Sequence, residues 1–410
     1  MCHQRPGARA LCASRPGAGG PVLVAEVRRG NGLGLSRHQR MNARPLTLTV
    51  SLADQLFSQT KSVGIFNLSL GLVEQLSRRS ELARFTVLAN RSLAGRLPPH
   101  LDVRWHDGPA GSRLGRLIWD QWGVYSAAAG TGHDWLFLPK GFASFVRACP
   151  VRMAACVADT LHDHYRQHHP CAVNRYEQAY FTRSFWAAVR SAQVLFTISD
   201  FTTGEVLRLA NARGLTPPSV HTMGIGFTPP ITPAGAKVNR VCVLSSPFPH
   251  KRTELAVQWL ARWQGESVFD GEVHWVGRAP AGLAWPAFAN WRHHERLPEA
   301  DYRELLARAR VLVFFSEYEG FGMPPVEATL AGACPVYSAI PATREVMGGC
   351  GFAFSNQDYP SFRHALSAAL QVSGDSLARW GEDLLRRHSW ERVADRLLAV
   401  LQACNATGGS

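Results

Sequence analysis

Two glutamates, Glu319 and Glu327, stand eight positions apart in the segment Ser316-Glu-Tyr-Glu-Gly-Phe-Gly-Met-Pro-Pro-Val-Glu-Ala-Thr-Leu-Ala-Gly-Ala-Cys-Pro-Val336. Carboxylates accept paired hydrogen bonds, which suits the vicinal hydroxyls of a sugar or a ribose. Between them, Gly320 and Gly322 let backbone N–H groups turn towards a ligand, and Pro324 with Pro325 suits the first turn of a helix. A loop that opens a helix in this way offers unpaired N–H donors and a positive dipole end, which favours a phosphate. One acid on each side of such a cradle suits a nucleotide sugar. Singly these features are weak, because the dipole alone favours a first-turn Glu and a loop Glu is ordinarily solvated. The set, placed directly after the apolar run 311–315, is specific. A second group, His162, Asp163, His164, His168 and His169, carries side chains that ligate transition metals, but no cysteine pair joins it.

Positioning such groups requires a regular scaffold. From residue 46 onward, short β-rich runs alternate with helical patterns, as in parallel sheets with crossover helices. Strands are predicted at 46–52, 85–90, 101–105, 135–139, 153–159 and 194–199, with helices at 64–78, 113–128, 175–190 and 201–213. A Pro/Gly-rich stretch at 224–237, with Pro229, Pro230 and Pro233, reads as a linker. Strands are then predicted at 241–246, 272–277, 311–316, 334–338 and 351–354. The matching helices fall at 252–262, 299–308, 325–331, 359–370, 375–387 and 391–403. The fold class is α/β, with two Rossmann-like domains whose parallel sheets face a central cleft, where ligands of doubly wound folds sit. The expected divisions are a disordered basic segment 1–44, an acceptor domain 45–228, a nucleotide-sugar domain 229–388 and a C-terminal helix 389–410 packing back towards the first domain.

Composition narrows the function. The chain of 410 residues is 46% hydrophobic and 18% charged, and no run approaches the length of a bilayer span. Of the formal charge of +13, a net +7 lies in residues 1–44, with eight Arg against Glu26 alone. The folded part is therefore only mildly basic, which disfavours a nucleic-acid partner. Met41 is a candidate start. Nine cysteines are scattered without Cys-x-x-Cys pairs, which argues against a disulfide framework or structural zinc and for a cytoplasmic home. The stretch 113–128 combines Arg113 and Arg116 with Trp119, Trp122 and Tyr125. It reads as a core-packed helix with polar ends, or as a stripe that rests peripherally on the inner face of a membrane.

The segment 316–336 resembles the Glu-x7-Glu motif of retaining GT-B glycosyltransferases of family 4, and Ile340-Pro-Ala-Thr-Arg-Glu-Val346 is similar to the segment that follows it there. Pro249-His-Lys-Arg-Thr-Glu254 is similar to the family's basic turn. Ser62-Val-Gly-Ile-Phe66, Leu161-His-Asp163, 195–201 and Ser389-Trp-Glu391 resemble its other cleft and terminal motifs. The resemblance runs over roughly 46–403 and is strongest in the second half. It implies that Glu327 holds the ribose, while Glu319 and the backbone of Phe321, Gly322 and Met323 contact the sugar within the loop of Gly320 and Pro324. It implies that Lys251, helped by Arg252, neutralises the leaving diphosphate, that Gly64 touches the donor or acceptor, and that His162 and Asp163 line the cleft. The expected activity is retaining transfer of a hexose to a glycan or lipid-linked saccharide, in bacterial surface polysaccharide or lipopolysaccharide assembly. No cofactor and no metal is implied, and the chain has no Asp-x-Asp pair. A GT-B nucleotide-sugar epimerase and a non-catalytic nucleotide-sugar-binding protein are the competing readings.

Overall fold

Apolar runs too short for helices become strands buried on both faces, as a parallel sheet covered by helices requires. In the computed structural model, which describes residues 46–55, 63–79, 81–229 and 236–407, these runs build two sheets. The basic segment 1–44 and linker residues Pro230 and Pro233 lie outside the described residues. The first sheet contains β1 (Leu46–Ser51), β2 (Leu82–Ala89), β3 (Asp102–Trp105), β4 (Trp135–Leu138), β5 (Arg152–Val157), β6 (Val194–Thr197) and β7 (Ser219–Thr222), ordered β3-β2-β1-β4-β5-β6-β7. The second contains β8 (Arg240–Leu244), β9 (Glu272–Val276), β10 (Trp291–His294), β11 (Val311–Phe314), β12 (Cys334–Ser338) and β13 (Phe352–Phe354), ordered β10-β9-β8-β11-β12-β13. Every pairing within both sheets is parallel. The first six strands of each sheet follow one winding, three strands running outward on one side and three on the other, which is the doubly wound order. The fold is α/β with two parallel-sheet domains, as the sequence predicts.

Two strands escape the sequence reading. β7 (Ser-Val-His-Thr) and β10 (Trp-Arg-His-His) are edge strands, half exposed and polar, so they lack the apolar signal of the interior strands. The helix predicted over 113–128 differs more. It breaks into Arg113–Ile118, a wider π turn Trp119–Gly123, and Val124–Ala129. Trp119, Gln121, Val124 and Tyr125 are all buried, a spacing that no single face of a regular helix provides. The extra residue of the π turn re-aims the following side chains, and the buried Gln121 then receives Phe145 N–H on Oε1 at 3.1 Å.

The chain crosses between the domains twice, and the crossings touch. Phe227 donates its N–H to the His388 carbonyl at 2.9 Å, and Phe227 bridges Ser389. The last helix, Trp390–Thr407, packs on the helix Val63–Leu76 and beside β1. Trp135 Nε1 and Arg152 Nη1 donate to Asn405 Oδ1 at 2.8 and 2.9 Å. Trp390 opens this helix with its indole against two glycines. A Cβ on Gly71 would fall 2.2 Å from Trp390 Cζ2, and one on Gly226 2.3 Å from Cδ2. Gly71→Ala or Gly226→Ala is therefore expected to destabilise the fold by about 1–3 kcal/mol through overpacking, seen as a lower urea midpoint with an unchanged slope.

Candidate functional site

In doubly wound sheets, ligands bind beyond the carboxyl ends of the strands where the winding reverses. In the second sheet that point lies between β8 and β11, which are neighbours. The chain leaving β8 turns at Pro249–Lys251, and the chain leaving β11 runs through Ser316 to Gly322. Strand order alone thus brings Lys251 to Glu319, and Lys251 Nζ lies 2.5 Å from Glu319 Oε1. The ammonium also sits 5.1 Å from the centre of the Phe314 ring. Lys251 is 25% exposed and Glu319 14%, so the pair is shielded yet reachable.

The loop after β11 is clamped by the first domain. A Cβ on Gly320 would fall 2.0 Å from the Ala158 carbonyl, just past β5, so only glycine allows this approach. The Gly320 carbonyl accepts from Ser199 Oγ at 2.5 Å and Thr202 Oγ1 at 3.1 Å. Tyr318 OH lies 2.7 Å from Thr160 Oγ1. Asp159, beside Gly320, accepts the Leu161 N–H at 2.9 Å. Burial raises its pKa and the nearby Glu319 charge adds to this, against the opposing pull of that N–H and of Lys251. Glu345 of the 340–346 segment accepts the Asp200 and Phe201 N–H groups, each at 2.7 Å, capping a first-domain helix.

Gly322 closes the loop at φ 88°, a left-handed conformation natural to glycine, and heads the helix Met323–Leu330, with Pro324 and Pro325 in its first turn. The Met323 side chain reaches the first domain. A Cβ on Gly64, in the first turn of Val63–Leu76, would lie 3.0 Å from Met323 Sδ. Gly64 of the first domain therefore packs on the Met323 side chain, beside the loop that carries Glu319. Glu327 stands one turn further on. Among the described residues, its carboxylate has no ion pair with Lys251, and the charges near it are Arg303 and Glu299. Burial raises its pKa to about 7.

The remaining predicted residues fall elsewhere. His162 packs its ring 4.7 Å from Phe185, and burial lowers its pKa to about 4. Asp163 is taken up by Arg166 at 2.6 Å and by Gln167, with Arg208 at 3.7 Å. Arg252, the sole non-glycine residue with positive φ among the described residues, forms an ion pair with Glu317, its Nε 3.1 Å from Oε2, instead of standing beside Lys251 as a second cation. Phe321 is buried against Phe227 and His388, its ring centres 6.0 and 5.3 Å from theirs, so only its backbone faces the loop. Sequence reasoning passed over Glu317. It accepts from His164 Nε2 at 3.1 Å and from His169 Nε2. Burial pushes its pKa up, but those hydrogen bonds and Arg252 outweigh the burial and hold it below the usual carboxylate range. The signal was its place two residues before Glu319 in the segment that follows the apolar run 311–315.

Residues 239–371 match the family described as glycosyl transferases group 1. The fold is GT-B. Sucrose-phosphate synthase from Thermosynechococcus elongatus superposes with a TM-score of 0.64 at 13% identity over 88% of this chain and 100% of that one. HepE of Anabaena, solved with UDP and glucose, gives 0.62 at 14% over 87% of this chain and 100% of its own. By sequence, the chain is 24% identical over 259 residues to the O-antigen chain mannosyltransferase B of Escherichia coli, covering 53% of this chain and 63% of the relative. It is 33% identical over 109 residues to the GDP-mannose:cellobiosyl-diphosphopolyprenol alpha-mannosyltransferase of Komagataeibacter xylinus, covering 25% and 28%. Both matches span less than two thirds of the relative's length.

Glu327 carries a consequence for stability. Its pKa in the fold, about 7, lies above the ordinary 4.5, so its contribution is fully present below about pH 4.5 and is lost as pH rises through 7. Glu327→Gln is expected to remove that decline and raise stability at pH 8 by on the order of 1–3 kcal/mol, measured by thermal unfolding of both proteins from pH 5 to 8.

Proposed function

We propose that this protein transfers a hexosyl group from a nucleoside diphosphate sugar to a glycan or lipid-linked saccharide, with retention at the anomeric carbon. The observation that carries the reading is the Lys251–Glu319 ion pair at the reversal point of the second sheet, beside the N-terminus of Met323–Leu330. A departing diphosphate needs positive charge where its own negative charge develops. Lys251 and the helix N–H groups supply it, with Gly64 packed beside Met323. Glu319, released from Lys251 by the incoming diphosphate, accepts sugar hydroxyls along with the backbone of Phe321, Gly322 and Met323. Glu327, ionised once ribose hydroxyls and solvent reach it, holds the ribose. The leaving phosphate takes the acceptor's proton, so neither a side-chain base nor a metal or cofactor is required at the phosphate. Asp159 is better placed than His162 to meet the sugar or acceptor, since Asp159 adjoins Gly320 while His162 packs on Phe185. Mannose is the sugar we favour, because both curated relatives are named as mannosyltransferases, and bacterial surface polysaccharide or lipopolysaccharide assembly is the setting.

A lipid-linked acceptor gives meaning to the first domain's surface. Leu114, Ile118 and Trp122 are 64%, 50% and 45% exposed at four-residue spacing, beside Phe145 and Val146 at 42% and 53%. Arg113 and Arg147 are exposed around them. An apolar strip ringed by cations suits an anionic membrane face. No helix among the described residues is long and apolar enough to cross a membrane. The protein then works at the cytoplasmic face by peripheral contact.

Lys251→Ala and Glu319→Ala are each expected to lower transfer from GDP-mannose by about 10²–10³ or more while circular dichroism and melting stay native-like. Near-normal turnover in both removes them from the site, and a panel of UDP-, GDP- and ADP-sugars fixes the donor. Ile118→Ser with Trp122→Ser is expected to cut flotation with anionic vesicles by about tenfold or more. Equal flotation of this variant and the parent would refute the membrane contact.

A further inference from the structure

We propose that His164, His169 and Glu317 form a transition-metal site that joins the two domains, and that Zn²⁺ is the ion its donors suit. The two histidines belong to the first domain, on and just beyond the helix Leu161–His168, and Glu317 belongs to the loop after β11. Their donor atoms all lie within 4.8 Å of one another. Zn²⁺ takes imidazole nitrogen and carboxylate oxygen at about 2.0–2.2 Å in tetrahedral geometry, which sets its ligands roughly 3.3 Å apart. His164 Nε2 stands 3.1 Å from Glu317 Oε1, close to that spacing, and His169 Nε2 lies nearer to the same oxygen, so the carboxylate needs only to draw back slightly to admit an ion between the three donors.

Ring packing and a neighbouring cation hold these donors in place. The His164 ring is stacked on Tyr318 at 4.6 Å and lies 4.6 Å from the His168 ring. Tyr318 is itself held by Thr160. Both imidazoles turn Nε2 to the same carboxylate oxygen, Oε1, while Arg252 Nε lies 3.1 Å from the other oxygen, Oε2. Arg252 thus stands as a charge beside Oε2, while Oε1 is the oxygen that faces both imidazoles. A groove of about 340 Å³ lined by His169, Pro247, Pro249 and Arg252 opens beside the cluster and gives water access to a fourth coordination position. Chelation from both domains fastens the loop that carries Glu319 two residues later. The ion's role is to tie the domains, and its ligands are distinct from the groups assigned to the diphosphate.

The test uses the full chain freed of metal by chelator, titrated with ZnCl₂ calorimetrically and with Co²⁺ in the visible range. The expected result is one tight equivalent of Zn²⁺, a higher melting temperature and a tetrahedral Co²⁺ spectrum without thiolate charge transfer. His164→Gln, His169→Gln and Glu317→Gln should each weaken Zn²⁺ binding at least tenfold, whereas His168→Gln should not. Absence of a stoichiometric site overturns the proposal, as do unchanged affinity in both ligand-histidine variants or a thiolate band that places the ion on cysteine. The Co²⁺ spectrum is taken on the unmodified protein, so it decides the matter even where a variant fails to fold. Transfer activity is not part of the readout, so this result stands apart from that of the Lys251 and Glu319 variants.

Discussion

The pair formed by Lys251 and Glu319 depends on strand order more than on attraction between the two charges. β8 and β11 lie side by side with their connections leaving in opposite directions, so two segments far apart in sequence end at one point. Opposite charges 2.5 Å apart and partly shielded then attract strongly. A buried pair of this kind has also given up hydration, which its attraction only partly returns. The chain therefore keeps two charged groups in a place where stability alone does not demand them. Such tension between stability and chemistry is what a binding site looks like.

The first sheet repeats the arrangement. Its winding reverses between β1 and β4, and past those strand ends Lys140 pairs with the buried Asp54. Asp120, hydrogen-bonded by Tyr180 OH at 2.6 Å, stands near that pair, and burial and the Asp54 charge raise its pKa to about 7. Each half of the molecule thus presents a lysine–carboxylate pair at the corresponding point of its sheet. In the second sheet a helix N-terminus adjoins the pair, and that is the feature that suits a phosphate.

Much of this was legible in the sequence, for physical reasons that differ from place to place. The interior strands announced themselves because a strand buried on both faces must be apolar throughout, as Val311–Phe314 is. The turn at Gly320 and Gly322 was readable because only glycine tolerates that close approach and positive φ. The edge strands β7 and β10 were not readable, since one half-wet face needs few apolar residues. His162 is expected in the cleft because Leu161-His-Asp163 resembles a cleft motif of the family. The chain turns helical at Leu161, and two helical steps carry His164, instead of His162, round towards Glu317. Arg252 was paired with Lys251 by adjacency, but its left-handed backbone swings it to Glu317. The meeting of Glu317 with two histidines depends on how one domain is set against the other. No local pattern encodes that.

The two chain crossings have a mechanical consequence. Phe227 and His388 are joined by a backbone hydrogen bond, and Trp390 fills the slot between Gly226 and Gly71. Twin covalent links gathered on one line leave the halves free to rotate about that line and resist sliding past each other. Displacement in such a linkage grows with distance from its axis. The contacts of Gly320, Tyr318 and Glu345 with the first domain are what an opening rotation must break, and two of the three belong to the residues that flank Glu319.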